Sequence, residues 1–331
     1  MPSPKRFIPE EAKLWTDQKG RPIAVVEVTI RTIQGRYLFL PTERHTSLIR
    51  GVIGRALSML DFELYAYAFL SNHGSMLIGV RDAHHLARVM NYIHSNIPRE
   101  LGRPEHSDWK GGMLERRGRP IVVLGDGELE DRMRYVLSNG TKEHLVARPE
   151  RYPGAHCARA LCTGVMDYGA WIDRTEQRNM GPQGDDQHAA TEADATTMYP
   201  IHLEQLPCRR EMSKREYRQW IKYICREISD AAAQERRETG KKVLGARRLV
   251  RFHPHYRPGK IAKSPAPFVH CNDQKLRKRF VKAYKAFCVA YRTACEAIHA
   301  GLTTFCFPEG GLPPTWYWPV PQRLKPELKL I

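Results

Sequence analysis

The 331-residue sequence predicts an α+β fold, in which an antiparallel sheet packs against helices and a mainly helical, basic C-terminal region follows. Two observations predict it. Short apolar, β-branched runs alternate with stretches of helical periodicity through the first 140 residues, which is typical of mixed strands and helices. After position 200 the sequence has two long amphipathic stretches in which basic residues outnumber acidic ones.

The first elements follow one another closely. PIAVVEVTI at 22–30 is β-branched and apolar and predicts a strand, and YLFL at 37–40 follows a turn and is predicted to be its hairpin partner. Apolar residues then recur at helical spacing up to about Leu60. Thr42 and Thr46 are both suitable N-caps for that helix.

Two further apolar runs, at 64–70 and 75–80, predict strands, and apolar periodicity predicts a helix over 83–97. PIVVL at 120–124 predicts another strand. Residues 125–140 predict a helix, because acidic side chains fill its first turns and interact favourably with the helix dipole. The order strand–strand–helix–strand–strand–helix–strand–helix favours a ferredoxin-like antiparallel sheet with helices on one face.

Composition divides the chain into three predicted parts. Residues 1–160 contain the α+β elements. Residues 161–205 are predicted to be a linker with a disordered insertion at about 174–199, where large apolar residues are few. Residues 206–331 are predicted to be a basic helical region.

That basic region contains predicted long helices at 212–240 and 275–301 and most of the excess charge. The chain has a formal net charge of +17, and residues 201–331 hold 27 Lys and Arg against 11 Asp and Glu. Such a surface suits a polyanion, and nucleic acid is the first candidate because bound cations release the counterions of its phosphates. An anionic membrane surface is the alternative.

The sequence also predicts where the chain resides. No apolar run approaches the ~20 residues of a membrane span, and the N-terminus lacks the apolar core of a signal peptide. None of the eight cysteines forms a C-x-x-C pair, so a zinc module is not expected. We expect a cytoplasmic protein that does not enter a membrane.

The stretch SNHGSMLIGV places His73 just before a predicted strand. Residues i and i+2 share one face of a strand, so a His-x-His pair there would present two imidazoles to one metal ion. Position 75 is Ser in this sequence. Taken alone, a single His before Gly is also typical of a turn.

A second pattern lies in the helical segment RMRYVLSNG. Tyr135 and Asn139 are four residues apart and share a helical face. A phenol can act as a nucleophile, and an amide oxygen can bind a hard metal ion. A half-buried tyrosine followed by an Asn near the helix end is the structural alternative.

Taken together and in order, these segments resemble the REP-associated tyrosine transposases, which belong to the single-tyrosine HUH transposases of bacterial insertion sequences. AFLSNHGSMLIGV is similar to the metal-binding strand of that family, WKGGMLERRGRPIVV to the segment after it, and RYVLSNGTKEHLVARPERYPG to the tyrosine helix. The resemblance covers about 22–156. The segment FPEGGLPPTWYWP resembles the tails of some members more loosely.

The resemblance implies that Tyr135 attacks a DNA phosphodiester and forms a 5′-phosphotyrosine, and that His73 and Asn139 bind Mg²⁺ or Mn²⁺. Ser75 stands where the family has its second metal-binding histidine, and Gly140 where it usually has proline. A hydroxyl is a far weaker ligand than an imidazole, so we expect metal affinity and activity to be weak or lost.

The resemblance also implies a DNA partner, either single-stranded or a hairpin such as a palindromic repeat. The DNA is bound by a monomer or a homodimer at the nucleoid of a bacterial cytoplasm. Cations beside the motifs are expected to contact its phosphates, and these are Arg116, Arg117, Arg134 and Lys142. For Arg116 and Arg117 a solvated charged turn is the alternative.

Three functional hypotheses follow. The first is a transposase that cleaves and transfers DNA strands through Tyr135. The second is a catalytically inactive relative that binds DNA, because Ser75 replaces a metal ligand. The third is an RNA-binding protein.

His253 and His255 form an H-x-H pair, but Pro254 favours a loop, and we expect phosphate or base contacts there.

Overall fold

The structure, a computed structural model, describes residues 7–115, 118–180, 191–259, 267–302 and 306–311. Its strands are β1 (Trp15–Thr16), β2 (Pro22–Arg31), β3 (Glu63–Leu70), β4 (His73–Val80) and β5 (Arg119–Val123). They form one antiparallel sheet in the order β5–β2–β4–β3, and the short β1 pairs with the start of β2.

Two helices connect these strands. α1 (Glu43–Leu60) joins β2 to β3, and α2 (Ala83–Leu101) joins β4 to β5. α1 begins at Thr42, whose hydroxyl accepts a hydrogen bond from the N–H of His45 and so satisfies one unpaired donor of the first turn. The order β2–α1–β3–β4–α2–β5, with this strand arrangement, is ferredoxin-like, and the predicted α+β class is confirmed.

The two faces of the sheet differ in character. One face is apolar and is buried with α1 and α2 in the main core. Because successive residues of a strand point to opposite faces, the polar residues of the central strands all point to the other face. They are Glu27, Thr29 and Arg31 on β2 and Ser75 and His73 on β4.

The helix α3 (Asp126–Ser138) lies over this polar face. The guanidinium of Arg132 on α3 is 3.7 Å from the carboxylate of Glu27. The prediction that all helices lie on one face is therefore wrong in one respect. α1 and α2 share a face, whereas α3 supplies charged partners for the polar face, which an apolar helix would leave unpaired.

Residues 37–40, predicted to be a hairpin partner of β2, form no strand. Both sides of β2 are already occupied, by β4 on one side and β5 on the other. The segment instead runs irregularly over the core. Leu38 and Phe39 are buried, and the N–H of Phe39 donates to the carbonyl of Ser71 at 2.8 Å. Its apolar character reflects burial and not strand pairing.

Further elements follow α3. α4 (Ala158–Thr163) precedes an antiparallel hairpin of β6 (Asp167–Ile172) and β7 (Thr196–Ile201), and α5 (Arg174–Asn179) lies between the two strands. The hairpin packs on α1, where glycines let the two backbones approach closely.

The predicted linker at 161–205 is therefore wrong for these elements, because β6 and β7 pair and bury Trp171, Ile172 and Ile201 in the main core. Of the predicted insertion at 174–199, residues 181–190 lie outside the described residues. The division into a first domain and a C-terminal region stays a prediction.

The C-terminal region contains α6 (Lys214–Thr239), the short α7 (Ala246–Leu249) and α8 (Gln274–His299), and the two long helices are confirmed. α6 starts with a capping box of Ser213 and Glu216. Its apolar residues enter the same core as the sheet, which fixes α6 beside α3 and α4. Within the described ranges, no helix is both long and apolar enough to span a bilayer.

Candidate functional site

Tyr135 lies in the last turn of α3, at the wall of a groove between α3 and α6. The groove has a volume of about 770 Å³, and its charged lining consists of three bases, Arg132, Arg134 and Lys142, and four acids, Asp131, Glu227, Asp230 and Glu235. The Tyr135 side chain is 37% exposed, although the next two residues, Val136 and Leu137, are fully buried. A ligand in the groove can therefore contact part of the Tyr135 side chain.

Two cations lie against the ring of Tyr135. The Nζ atom of Lys142 is 3.6 Å from the ring centroid, and the Cζ atom of Arg132 is 5.0 Å from it. At these distances a cation is attracted to the π face of the ring. An anionic group at the ring would therefore meet two cations, of which Lys142 is also 3.8 Å from the carboxylate of Glu143.

The pKa of the Tyr135 hydroxyl is raised above its ordinary value of 10.0. Burial is the main cause, and the carboxylates of Glu27 and Glu143 raise it further, while Arg132 and Arg31 have the opposite effect. Little phenolate is present at neutral pH. An attack by Tyr135 needs a group that removes its proton or charges that stabilise the transition state.

His73 is the first residue of β4 and lies opposite Arg31 in the strand register. Its Nδ1 is 2.8 Å from Oδ1 of Asn72, an acceptor, so we assign the proton to Nδ1 and the lone pair to Nε2. Burial is the main cause that lowers the pKa of His73 to about 4, and the charges of Lys142 and Arg31 lower it further. His73 and Tyr135 are thus gathered around the same two cations.

The other two predicted metal-site residues are buried. Ser75 is 1% exposed and is paired with Thr29 and Ala68 across the sheet. Asn139 ends α3 and is fully buried, and neither atom of its carboxamide has a hydrogen-bond partner among the described residues. Among the described residues, no side-chain hydrogen bond joins Asn139 to His73 or Tyr135.

These residues do not fit a divalent metal beside His73. The unpartnered oxygen of Asn139 is in favour of one, but the available donors there are neutral, and the charges that act on His73 are positive. The nearby carboxylates have other partners. Glu143 accepts a hydrogen bond from the N–H of Gly140 at 2.6 Å, and Glu27 lies 2.9 Å from Nε2 of His270. The Glu143 carboxylate also lies 3.8 Å from Nζ of Lys142, so it is already paired, and a dication there would be repelled by Lys142 and Arg31.

An acid–histidine cluster lies elsewhere, at the end of α2, where ligand atoms of Glu105, His106 and Glu192 are within 4.8 Å of one another. Arginines occupy its carboxylates. Glu192 is 2.7 Å from Arg174 and also pairs with Arg44. The cluster is therefore explained by ion pairing and needs no metal.

Two of the four predicted DNA contacts, Arg134 and Lys142, line the groove at Tyr135. Lys142 lies on Tyr135, whereas Arg134 pairs across the groove with Glu227 of α6 at 2.6 Å, so DNA would have to compete with that carboxylate. Arg116 and Arg117 lie outside the described residues. Away from the groove, His255 is bonded to Asp108 at 3.0 Å.

Sequence reasoning missed four ionisable residues of the site, Glu27, Arg31, Arg132 and His270. One signal was available. β2 is apolar except at 27, 29 and 31, and this spacing places every polar residue on one face of the strand. His270 carries no local signal, because it reaches Glu27 only through a distant segment that pairs beside β5.

The helix α8 is the most one-sided in charge. It contains seven Lys and Arg but only Glu296 as an acid, whereas α6 contains five acids against seven Lys and Arg. Within the described residues, none of the seven cations of α8 forms an ion pair. The start of α8 is tied to α3, because the N–H of Asn272 donates to Glu128 at 2.7 Å. A free basic surface thus begins next to the helix that carries Tyr135.

His156 fixes the end of α3 and is expected to make stability pH-dependent. It is buried, its Nδ1 accepts from the N–H of Ala158, and the backbone of Leu137 and Asn139 lies beside the ring. Burial lowers its pKa to about 4, below the unfolded value of 6.5. This stability is complete above pH 6.5 and is lost as the pH falls towards 4, since the unfolded state then binds the proton more tightly.

We therefore expect wild type to lose about 2 kcal/mol more than His156→Asn between pH 7.5 and pH 5. Urea unfolding at the two pH values measures the two losses of stability. In the variant, the amide oxygen of Asn can replace Nδ1 as the acceptor for the N–H of Ala158. His73 is present in both proteins, so its similar pH-dependent contribution cancels when the loss in the variant is subtracted from the loss in wild type. An equal loss in both proteins would show that His156 does not titrate as inferred.

The fold and the site thus define an α+β protein with a tyrosine at the wall of a groove that both basic and acidic side chains line. No family model matches the chain, and no curated protein matches it. Among solved structures, the chain is similar to a REP-associated tyrosine transposase bound to a REP hairpin. The two share 12% identity over 51% of this chain and 91% of that one, with a TM-score of 0.36.

Proposed function

We propose that this protein binds single-stranded or hairpin DNA in the groove at α3 and cleaves it through Tyr135. The observation that carries the proposal is the placement of a partly exposed tyrosine at the groove, with Lys142 and Arg132 against its ring. A phosphodiester held by these cations would have a nucleophile at hand. The sequence resemblance to tyrosine transposases, on the segments with His73 and Tyr135, supports the same chemistry.

The reaction is a transesterification in which atoms and charge balance. The Tyr135 oxygen bonds to phosphorus, and the bond from phosphorus to the 3′ oxygen breaks. The phenol gives up its proton, and the leaving 3′ oxygen takes up one proton. The product is a 5′-phosphotyrosine and a free 3′ hydroxyl. Attack of another 3′ hydroxyl on the phosphotyrosine would complete strand transfer.

DNA binding without cleavage is the second candidate. It is favoured by Ser75 at the place of a metal-binding histidine, and by the raised pKa of Tyr135. In this case the cations of the groove and of α8 would hold DNA, and Tyr135 would stack on a base.

A labelled-DNA assay separates the two candidates. Pools of random single strands and hairpins carry a fluorophore on the 3′ or the 5′ end, with EDTA or Mn²⁺ in the buffer. Cleavage predicts a covalent complex in denaturing gels that retains the 3′ label and not the 5′ label, and the linked peptide should contain Tyr135. Tight binding without a covalent complex in either buffer would favour the second candidate, and preference for matched RNA would contradict both.

The basic face of α8 makes a separate prediction about DNA affinity. Replacing Lys278, Arg279, Lys282 and Lys285 by Gln should lower the slope of log K against log salt by about 3, since each phosphate contact contributes roughly 0.7–0.9. The matched control replaces the same number of cations on α6, namely Lys214, Arg215, Lys222 and Arg226. Equal losses of slope would contradict the placement of the DNA on α8.

A further inference from the structure

We propose that Arg31 and Lys142 form a metal-free phosphate subsite beside Tyr135, so that binding and cleavage of the phosphodiester need no divalent ion. The inference rests on the proposed function and deepens it. Arg31 is assigned no role by the sequence motifs. The sequence motifs make Lys142 a general DNA contact. In the proposed subsite it takes the charge-stabilising role that the resemblance gives to Mg²⁺ or Mn²⁺.

The fold brings the two cations to Tyr135 from two directions. Arg31 ends β2 on the polar face of the sheet, directly opposite His73, and its side chain is exposed and has no ion pair among the described residues. Lys142 comes from the turn after α3 and places its ammonium 3.6 Å from the ring centroid of Tyr135. The charges of both cations act on His73, and that of Arg31 acts on the Tyr135 hydroxyl as well.

A third arrangement supports this positive site. Arg132 lies on the ring of Tyr135, and its guanidinium is 3.7 Å from the carboxylate of Glu27. The same carboxylate is 2.9 Å from Nε2 of His270. Glu27 is 4% exposed. The buried carboxylate therefore has Arg132 and His270 as its nearest partners and positions Arg132 against the ring.

The chemistry is sufficient without a metal. Negative charge grows on the non-bridging oxygens of phosphorus during the attack, and fixed cations aimed at those oxygens stabilise it without reorganising. A guanidinium remains charged at any relevant pH and can form two parallel hydrogen bonds with a phosphate. A dication placed among these groups would instead be repelled by both.

Formation of the covalent complex tests the proposal directly. With the full chain and the 3′-labelled DNA, it should form equally in EDTA and in Mn²⁺. Arg31→Gln and Lys142→Gln should each slow it about 100-fold, whereas Lys19→Gln, which removes one charge next to Asp61 on a different surface, should not. A covalent complex that appears only with Mn²⁺ would overturn this inference and leave the proposed cleavage intact.

A binding measurement keeps the inference testable if no cleavage occurs. In EDTA, Arg31→Gln and Lys142→Gln should each weaken binding of a single-stranded oligonucleotide about 10-fold, and Lys19→Gln much less. The subsite is refuted if the three variants bind alike, or if Mn²⁺ tightens binding of the wild type more than 10-fold. Absence of any covalent complex, with the two variants weakened as expected, would refute cleavage alone.

Discussion

Gly51→Ala is expected to destabilise the protein by about 3 kcal/mol, as overpacking against a rigid backbone does. A Cβ at Gly51 would lie 1.9 Å from the carbonyl oxygen of Ala170, and one at Gly169 would lie 2.0 Å from the nitrogen of Gly51. Both obstacles are backbone atoms, which cannot rotate away. α1 and β6 would have to separate, and the contacts of Trp171 with the core would be weakened.

Gly127→Ala is the matched control. Gly127 lies in the first turn of α3, and a Cβ there would meet no atom within 4 Å. Because Ala is a better helix former than Gly, this variant should be as stable as wild type or slightly more so. Urea unfolding followed by circular dichroism gives both values, and hydrogen exchange in β6 and β7 shows where the loss occurs. Equal midpoints for the two variants would contradict the close approach.

The same glycines show why the hairpin was not predicted. Gly51, Gly54 and Gly169 are signals of close backbone approach, but a glycine in a helix or strand does not identify its partner. The two strands of the hairpin are far apart in sequence, and the segment between them is polar in composition. Local composition therefore indicated a linker where long-range pairing produces a strand.

The central sheet was predictable because its strands and helices have strong periodicity. β2, β3, β4, α1 and α2 were each indicated by apolar spacing, and only the ends moved. The error at 37–40 had another cause. An apolar run records burial, but it does not record whether the neighbouring strand still has a free edge, which depends on the complete topology.

Motif reasoning placed Tyr135 and His73, and the structure gathers both around Lys142 and Arg31. It had no means to find His270, because ion pairing with Glu27 depends on a segment far along the chain. It also treated Asn139 as a neighbour of Tyr135 from helical spacing alone. Asn139 follows Ser138, the last residue of α3, is fully buried, and its carboxamide has no hydrogen-bond partner among the described residues, so its role as a metal ligand stays a prediction.

Tyr135→Phe is expected to abolish the covalent complex, with a loss of about 10³-fold or more, because no other atom of the site replaces the nucleophile. The phenyl ring keeps the face on which Lys142 and Arg132 lie, so DNA binding in the groove should persist. Binding measured by fluorescence anisotropy and covalent complex measured in denaturing gels separate these effects. A variant that loses both would have lost its fold or its groove, and circular dichroism would show which.

The pH dependence of the wild type tests how Tyr135 is activated. Its pKa is raised by burial, so between pH 7 and 9 the fraction of phenolate should rise about tenfold per unit. If phenolate is the attacking species, the rate of complex formation should rise with the same slope, and Lys142→Gln, which removes a nearby positive charge, should lower the rate throughout. A rate independent of pH over this range would contradict attack by free phenolate. It would mean that a group of the site removes the proton. The group to substitute next is His73, because its lone pair is on Nε2 and its imidazole stays neutral at these pH values.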